Sequence, residues 1–122
     1  MNHRRFRLAL LITAYSLFAI HCVRGILFPK PSGIELLNSI AIAIVVTLAC
    51  IEDSHVLKRP MVRVAQWLMV FTWPVAVPIY LIWSRGARGF RVILLHVALI
   101  VGTYVVVAVP LLIIGYGDHL LQ

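Results

Sequence analysis

Four long apolar runs, separated by short polar stretches, dominate the hydrophobic pattern of the chain. Three of them have no proline near their middle and are close to the roughly 20 residues that a membrane-spanning helix needs. They lie at about residues 7–27, 34–51 and 92–114. The remaining run, at about 64–84, contains Pro74 and Pro78 near its middle. The pattern predicts an all-α integral membrane protein folded as a single membrane domain over residues 1–122.

The first run begins as a signal peptide would, with Arg4, Arg5 and Arg7 ahead of apolar residues. No small-x-small cleavage motif follows it, and the run is long enough to span. We therefore expect an uncleaved first transmembrane helix.

The two prolines of the third run raise the question of whether it crosses the membrane. Each proline removes a backbone donor and clashes with the carbonyl four residues earlier, so a straight helix over 64–84 is disfavoured. The sequence predicts three transmembrane helices plus a proline-broken re-entrant helical hairpin. The alternative is four transmembrane helices with the third kinked, because Pro74 and Pro78 at i and i+4 share one helical face.

The distribution of basic residues favours the re-entrant topology. Four spans would place six Lys and Arg residues on one side and five on the other. A re-entrant third run places nine on the side of the N-terminus and leaves only Arg24 and Lys30 opposite. Short cytoplasmic loops carry the excess of basic residues, which predicts a cytoplasmic N-terminus and an outward C-terminus in the inner (cytoplasmic) membrane of a cell.

Composition supports a membrane location. The chain is 62% hydrophobic and 12% charged, with a mean hydropathy of +1.01, whereas soluble domains are about 25% charged. The formal net charge of +7 comes from basic clusters that flank apolar runs. These clusters indicate contact with membrane lipids and their anionic headgroups rather than with nucleic acid.

Small residues at helical spacing predict how the first two spans pack. Ser39, Ala43 and Thr47 recur at i+4 in the second span, and the first span offers a similar stripe. That stripe consists of Ala9, Thr13 and Ser16. Because small residues let helices approach closely in lipid, we expect a hairpin built on these two faces.

Candidate chemistry is sparse. The acidic residues Glu35, Glu52, Asp53 and Asp118 lie at the ends of runs or in polar stretches, which argues against a proton-coupled transporter acting alone. Ser32 and Glu35 have capping-box spacing, which gives Glu35 a structural role. The pattern predicts no catalytic residues, no metal site and no cofactor. A weaker hypothesis is haem ligation by His21 and His96, which a re-entrant third run would place on opposite sides.

The stretch WPVAVPIYLIWSRGARG, with the preceding EDSHVLKRP, resembles a pattern in small bacterial multi-pass membrane proteins of unknown function. In that pattern a basic linker leads into W-P-x-x-x-P-x-Y-L, followed by R-G. The matching residues are Trp73, Pro74, Pro78, Tyr80, Leu81, Arg85 and Gly86. The resemblance covers about a third of the chain and implies no chemistry.

These observations predict a non-enzymatic accessory, structural or assembly subunit that packs against a larger membrane protein or forms a homo-oligomer. The alternative is an oligomeric small transporter or channel, with Gly102, Thr103 and Tyr104 on its pore face. The expected structural and interaction residues are Trp73, Pro74, Pro78, Tyr80, Arg24, Ser39, Ala43 and Thr47. The expected lipid-facing charges are Lys58, Arg59, Arg63, Arg85, Arg88 and Arg91.

Overall fold

A computed structural model describes residues 2–28 and 30–120, with the side chains of 116–120 outside the description. The described chain is all-helical. Its four helices are α1 (His3–Leu27), α2 (Gly33–Val56), α3 (Arg63–Arg85) and α4 (Ala87–Leu120). All four are long and apolar enough to cross a membrane, so the fold is that expected of an all-α, multi-pass membrane protein. The predicted outward C-terminus, Gln122, lies outside the described residues.

The helices form a bundle in which each helix contacts two neighbours. α1 packs on α2, α2 on α3, α3 on α4, and α4 returns to α1. The contact between α1 and α2 is the most extensive, so these two helices form the predicted hairpin. A short connection of five residues, numbered 28–32, joins them.

The faces that build this hairpin differ in part from the predicted ones. On α2, Ala43 and Thr47 are buried, whereas Ser39 is exposed. On α1, the buried small residues are Ala14 and Cys22. The stripe predicted for α1 is instead exposed, namely Ala9, Thr13 and Ser16. Its two hydroxyls donate to carbonyls one turn earlier in the same helix. In a spanning helix, a small residue is as acceptable towards lipid as towards a neighbour, so spacing alone does not select the face.

A kink divides α3 into two arms. Thr72 leaves the helical conformation, with φ −122° and ψ 28°, two residues before Pro74. The ring of Pro74 would clash with the carbonyl of Val70 in a straight helix, which accounts for the break. Pro74 then lies in the first turn of the second arm, where a missing N–H costs little.

The kink brings the two ends of α3 together. Met61, just before the helix, packs against the same buried cluster as Leu81, near its end. The buried members of that cluster are Cys50, Met69, Tyr80 and Leu81. A straight helix would separate Met61 from Leu81 by about 30 Å. Both arms of α3 therefore pack beside the C-terminal part of α2.

Helix boundaries extend into stretches predicted as loops. α2 continues to Val56, so Glu52 and Asp53 belong to its last turns rather than to a solvated loop. α3 and α4 are joined through Gly86 alone, whose φ of 58° and ψ of −137° suit only glycine. The connection predicted over 84–91 is thus largely helical.

The start of α2 differs in detail from the capping box. Ser32 is the N-cap residue, and its carbonyl accepts from the amide of Glu35 at 3.0 Å. Its hydroxyl accepts from Nη2 of Arg24 at 3.3 Å rather than from the first turn of α2. Arg24 therefore ties the end of α1 to the start of α2.

Close packing at the α3–α4 junction predicts a stability effect of Gly89. A Cβ at Gly89 would lie 2.7 Å from the carbonyl carbon of Leu81 and closer still to its oxygen. We expect Gly89→Ala to destabilise the protein by about 1–3 kcal/mol, because the clash is with backbone. Thermal unfolding in detergent measures this effect as a lower midpoint.

The matched control is Gly102→Ala in the same helix, where an added Cβ meets nothing within 4 Å. We expect this control to be neutral or to stabilise by up to about 1 kcal/mol, since Ala has the higher helix propensity. Equal midpoints for the two variants would contradict the close approach of α3 to α4.

Candidate functional site

A carboxylate near the end of α2 holds three helices together. Asp53 Oδ1 accepts from Arg7 Nη1 on α1 and from Arg85 Nη2 on α3, the latter at 2.5 Å. Its other oxygen, Oδ2, accepts from the hydroxyl of Tyr80 at 3.3 Å. We name these four residues, Asp53, Arg7, Tyr80 and Arg85, the Asp53 centre.

The Asp53 centre is buried at its middle and open at its edge. Asp53 is only 6% exposed, whereas the side chains of Arg7 and Arg85 are 31% and 24% exposed. A buried carboxylate is costly unless it is paired and hydrogen-bonded, and both oxygens here have partners. One carboxylate opposite two guanidiniums leaves the centre with a formal charge of +1.

A second, more exposed pair lies beside it. His3 Nδ1 is 2.7 Å from Glu52 Oε2, and the rings of His3 and His55 stack with centroids 6.0 Å apart. The His3 side chain is 52% exposed. Exposed pairs of this kind contribute little to stability, so the Asp53 centre is the stronger link between α1 and α2.

The basic residues gather at the end of the bundle that carries the Asp53 centre. Arg7 and Arg85 belong to the centre, while Arg59 and Arg88 line one groove with Arg85. The remaining basic residues are neighbours of these in sequence or lie at the start of α3. Nine basic residues therefore belong to this end of the bundle. They are Arg4, Arg5, Arg7, Lys58, Arg59, Arg63, Arg85, Arg88 and Arg91. Arg24, near the end of α1, and Lys30, in the connection before α2, lie at the opposite end of the bundle.

The residues expected from sequence to mediate interactions fall in several environments. Tyr80 is buried in the Asp53 centre, and Pro78 and Trp73 are half-buried in the second arm of α3. Pro74 is exposed beside the kink. Among the charges expected to face lipid, Arg85 instead directs its guanidinium to Asp53. The remaining five of that group are exposed, namely Lys58, Arg59, Arg63, Arg88 and Arg91.

Sequence reasoning missed Asp53 and Arg7 as partners. Arg7 precedes Asp53 by 46 residues and Arg85 follows it by 32, so no local spacing links them. The available signal was Asp53 itself, a carboxylate at the edge of an apolar run in a chain with only four acidic residues. In a membrane protein such a residue pairs with a cation, but the sequence does not say which cation.

The histidines proposed as haem ligands occupy different surroundings. His96 Nδ1 and the hydroxyl of Tyr15 share a hydrogen bond of 2.5 Å, which places His96 beside the middle of α1. His21 lies six residues further along α1, about 9 Å at the helical rise. The two residues are therefore nearer along the bundle axis than the sequence suggested. Among the side chains that the structure describes, those of residues 2–28 and 30–115, no group of three His, Cys, Asp or Glu could hold a metal ion.

The residues suggested for a pore face lie along α4. Gly102 and Tyr104 are exposed, and the Thr103 hydroxyl donates to the carbonyl of Leu99 in the same helix at 2.7 Å.

Comparisons with family models, curated proteins and solved structures found no match to this chain.

The geometry of the Asp53 centre predicts a large effect of neutralising the carboxylate. Asp53→Asn would keep one acceptor oxygen but remove the negative charge that balances Arg7 and Arg85, and so weaken the links from α2 to α1 and α3. We expect a loss of about 1.5–3 kcal/mol, the range for hydrogen bonds to charged groups. This is less than for a fully buried pair because both arginines are partly exposed. The thermal unfolding midpoint in detergent reports the change.

Glu52→Gln is the matched control, since it neutralises the neighbouring carboxylate with the same chemistry. Its partner His3 is largely exposed, so we expect a loss below about 1 kcal/mol. Similar losses of unfolding free energy for both variants would show that the Asp53 centre stabilises the protein no more than the exposed His3–Glu52 pair does.

Proposed function

We propose that the chain lies in the cytoplasmic membrane of a cell, with α1, α2 and α4 spanning it and α3 entering and leaving from the cytoplasmic side. The proposal is supported by the gathering of nine basic residues at one end of the bundle, since positive charge is retained on the cytoplasmic side. It is also supported by the lengths of the α3 arms. At 1.5 Å per residue these are about 14 and 20 Å, shorter than the roughly 30 Å hydrocarbon core.

Accessibility of single cysteines tests this topology. We expect Cys at Ser32 to react with an impermeant thiol reagent on intact cells, and Cys at His55 or Ala87 to react only after permeabilisation. All three positions are exposed, and none carries a Lys or Arg whose loss would alter the charge balance. The background lacks Cys22 and Cys50, the two free thiols of the described chain.

Ser54 and Ser84 would be poor labelling positions in this experiment because both are buried, at 0% and 8% exposure. Labelling at Ala87 together with protection at His55 on intact cells would contradict the re-entrant topology and establish α3 as a kinked spanning helix.

We further propose that the protein is a non-enzymatic accessory or assembly subunit that packs against a larger membrane protein. The observation that carries this proposal is the exposed kink of α3. Pro74 and Pro78 have no N–H, so the carbonyls of Val70 and Pro74 lose their helical donors. Such backbone groups at membrane depth must be sheltered by protein or reached by water.

The chain itself leaves the surroundings of the kink open. Phe71 is 79% exposed and Val75 is 64% exposed, and Thr72 and Pro74 are exposed between them. The Thr72 hydroxyl donates to the carbonyl of Leu68 at 2.7 Å and so replaces one local donor. A partner helix over Phe71 and Val75 would exclude lipid from the remaining carbonyls.

Site-specific photo-crosslinking tests the partner proposal. We expect a photoreactive residue at Phe71 to crosslink a larger membrane protein in cells, and the same protein to copurify stoichiometrically in mild detergent. The physical reason is that a partner covering the kink lies within side-chain reach of Phe71. A product of twice the 13.7 kDa chain mass would instead identify a second copy of this chain.

The matched control is a photoreactive residue at Val106 on α4, which is 71% exposed and far in sequence from the kink. Equal crosslinking from Phe71 and Val106 would indicate non-specific contact. Recovery of the protein only as a monodisperse monomer, with no crosslinked protein from Phe71, would overturn the proposal.

A further inference from the structure

An open groove lies beside the Asp53 centre, where the α2–α3 connection meets the α3–α4 junction. Its lining includes three guanidinium groups, one indole and two aliphatic side chains. The residues are Arg59, Arg85, Arg88, Trp83, Leu57 and Val92. The described residues that line the groove include no carboxylate, so the electrostatic potential inside it is positive.

The first turn of α4 adds to this potential. Gly86, which joins α3 to α4, lines the groove, and α4 begins at Ala87. The N-terminus of a helix carries a partial positive charge and favours phosphate and other anions. The C-terminal ends of α2 and α3 also border the groove, and their partial negative charges offset this effect, so the positive potential rests on the arginines.

The guanidiniums are not equally free to bind a ligand. Arg85 is engaged with Asp53, whereas Arg59 and Arg88 are exposed and come from different segments of the chain. Arginine binds phosphate oxygens through paired N–H groups, so two arginines that line one groove can bind the same phosphate. Asp53 is already saturated by its own partners, so it does not compete for Arg59 or Arg88.

The apolar part of the lining indicates that the ligand is an amphiphile. Trp83 is 59% exposed, and Leu57 and Val92 are half-buried next to the arginines. A free phosphate would use only the basic edge of such a groove. A phospholipid would place its phosphate on the arginines and its glycerol and upper acyl chains along Trp83, a residue type enriched at membrane interfaces.

We propose that this groove is a binding site for the phosphate headgroup of one anionic phospholipid. The proposal rests on the proposed function in one respect, because it takes the basic end of the bundle to face the anionic leaflet. The site holds a single lipid through Arg59 and Arg88, with Trp83 beside the chains.

Native mass spectrometry of the intact protein, released from detergent micelles, tests the site. The probes are phosphatidylglycerol and phosphatidylcholine, and each is titrated separately. We expect one tightly bound phosphatidylglycerol per chain and weaker binding of phosphatidylcholine. The variant Arg59→Gln/Arg88→Gln should lose about 30-fold in affinity for phosphatidylglycerol, at about 1 kcal/mol for each arginine. Arg59→Lys/Arg88→Lys keeps the charge but loses the paired N–H groups, so its affinity should fall between that of the native protein and that of the Gln variant.

The control variant is Arg4→Gln/Arg5→Gln, which removes two exposed arginines from the same end of the bundle but outside the groove. We expect this control to change the affinity for phosphatidylglycerol by less than about threefold, because it removes no contact within the groove. Equal losses for the two double variants would overturn the proposal and leave only diffuse attraction between charges.

Competition with inorganic phosphate distinguishes a phospholipid from a soluble phosphate as the ligand. An excess of inorganic phosphate should leave phosphatidylglycerol bound if the chains contribute through Trp83. Complete displacement by phosphate, or unchanged affinity in Trp83→Ala, would overturn the lipid assignment in favour of a soluble phosphate ligand. Because the measurement uses purified protein in micelles, its failure is independent of the orientation and the partner proposed above.

Discussion

A single buried carboxylate sets the arrangement of this bundle. Asp53 lies near the end of an apolar helix, where an unpaired charge would be costly, and two arginines from other helices neutralise it. Arg7 can reach it only if α1 and α2 are antiparallel and in register. Arg85 can reach it only if the C-terminal end of α3 lies close to the C-terminal end of α2. The path of the chain through three helices is thus constrained by one side chain.

The path of the chain near the Asp53 centre depends on a break within α3 and on two glycines at the junction of α3 with α4. The break at Thr72, caused by Pro74, turns the chain partway along α3. Gly86 then reverses it within one residue, and Gly89 lets α4 approach the backbone of Leu81. The proline kink brings Arg85 back towards Asp53, whereas the two glycines, which follow Arg85, set how closely α4 packs against the end of α3.

Much of the helical architecture was predictable, because hydrophobic length and proline position act locally. The apolar runs predicted an all-helical membrane protein, with three spanning helices and a proline-broken hairpin or, alternatively, four helices with the third kinked. The structure has four apolar helices, and the third is broken at Thr72, next to the predicted prolines. The buried face of α1 was not predictable, because lipid accepts small and large apolar residues alike. Which residues of α1 are buried depends on how the helix is rotated against α2, and residue polarity does not determine this rotation. Asp53 and its partners were missed for a related reason. Their pairing is set by tertiary packing over 32 to 46 residues, which periodicity does not record.

The two ends of the bundle therefore differ in the interactions that stabilise them. At the basic end, hydrogen bonds and ion pairs hold α1, α2 and α3 in one geometry, and the exposed arginines surround that geometry. At the opposite end, near the start of α2, the apolar side chains of Ile34, Leu36 and Leu37 are exposed. Lipid gives such apolar side chains a solvent but no specific geometry, because it is as apolar as they are. Most of the polar contacts that select particular partners thus lie at the charged end and at the kink, while Arg24 and Ser32 link α1 to α2 at the other end.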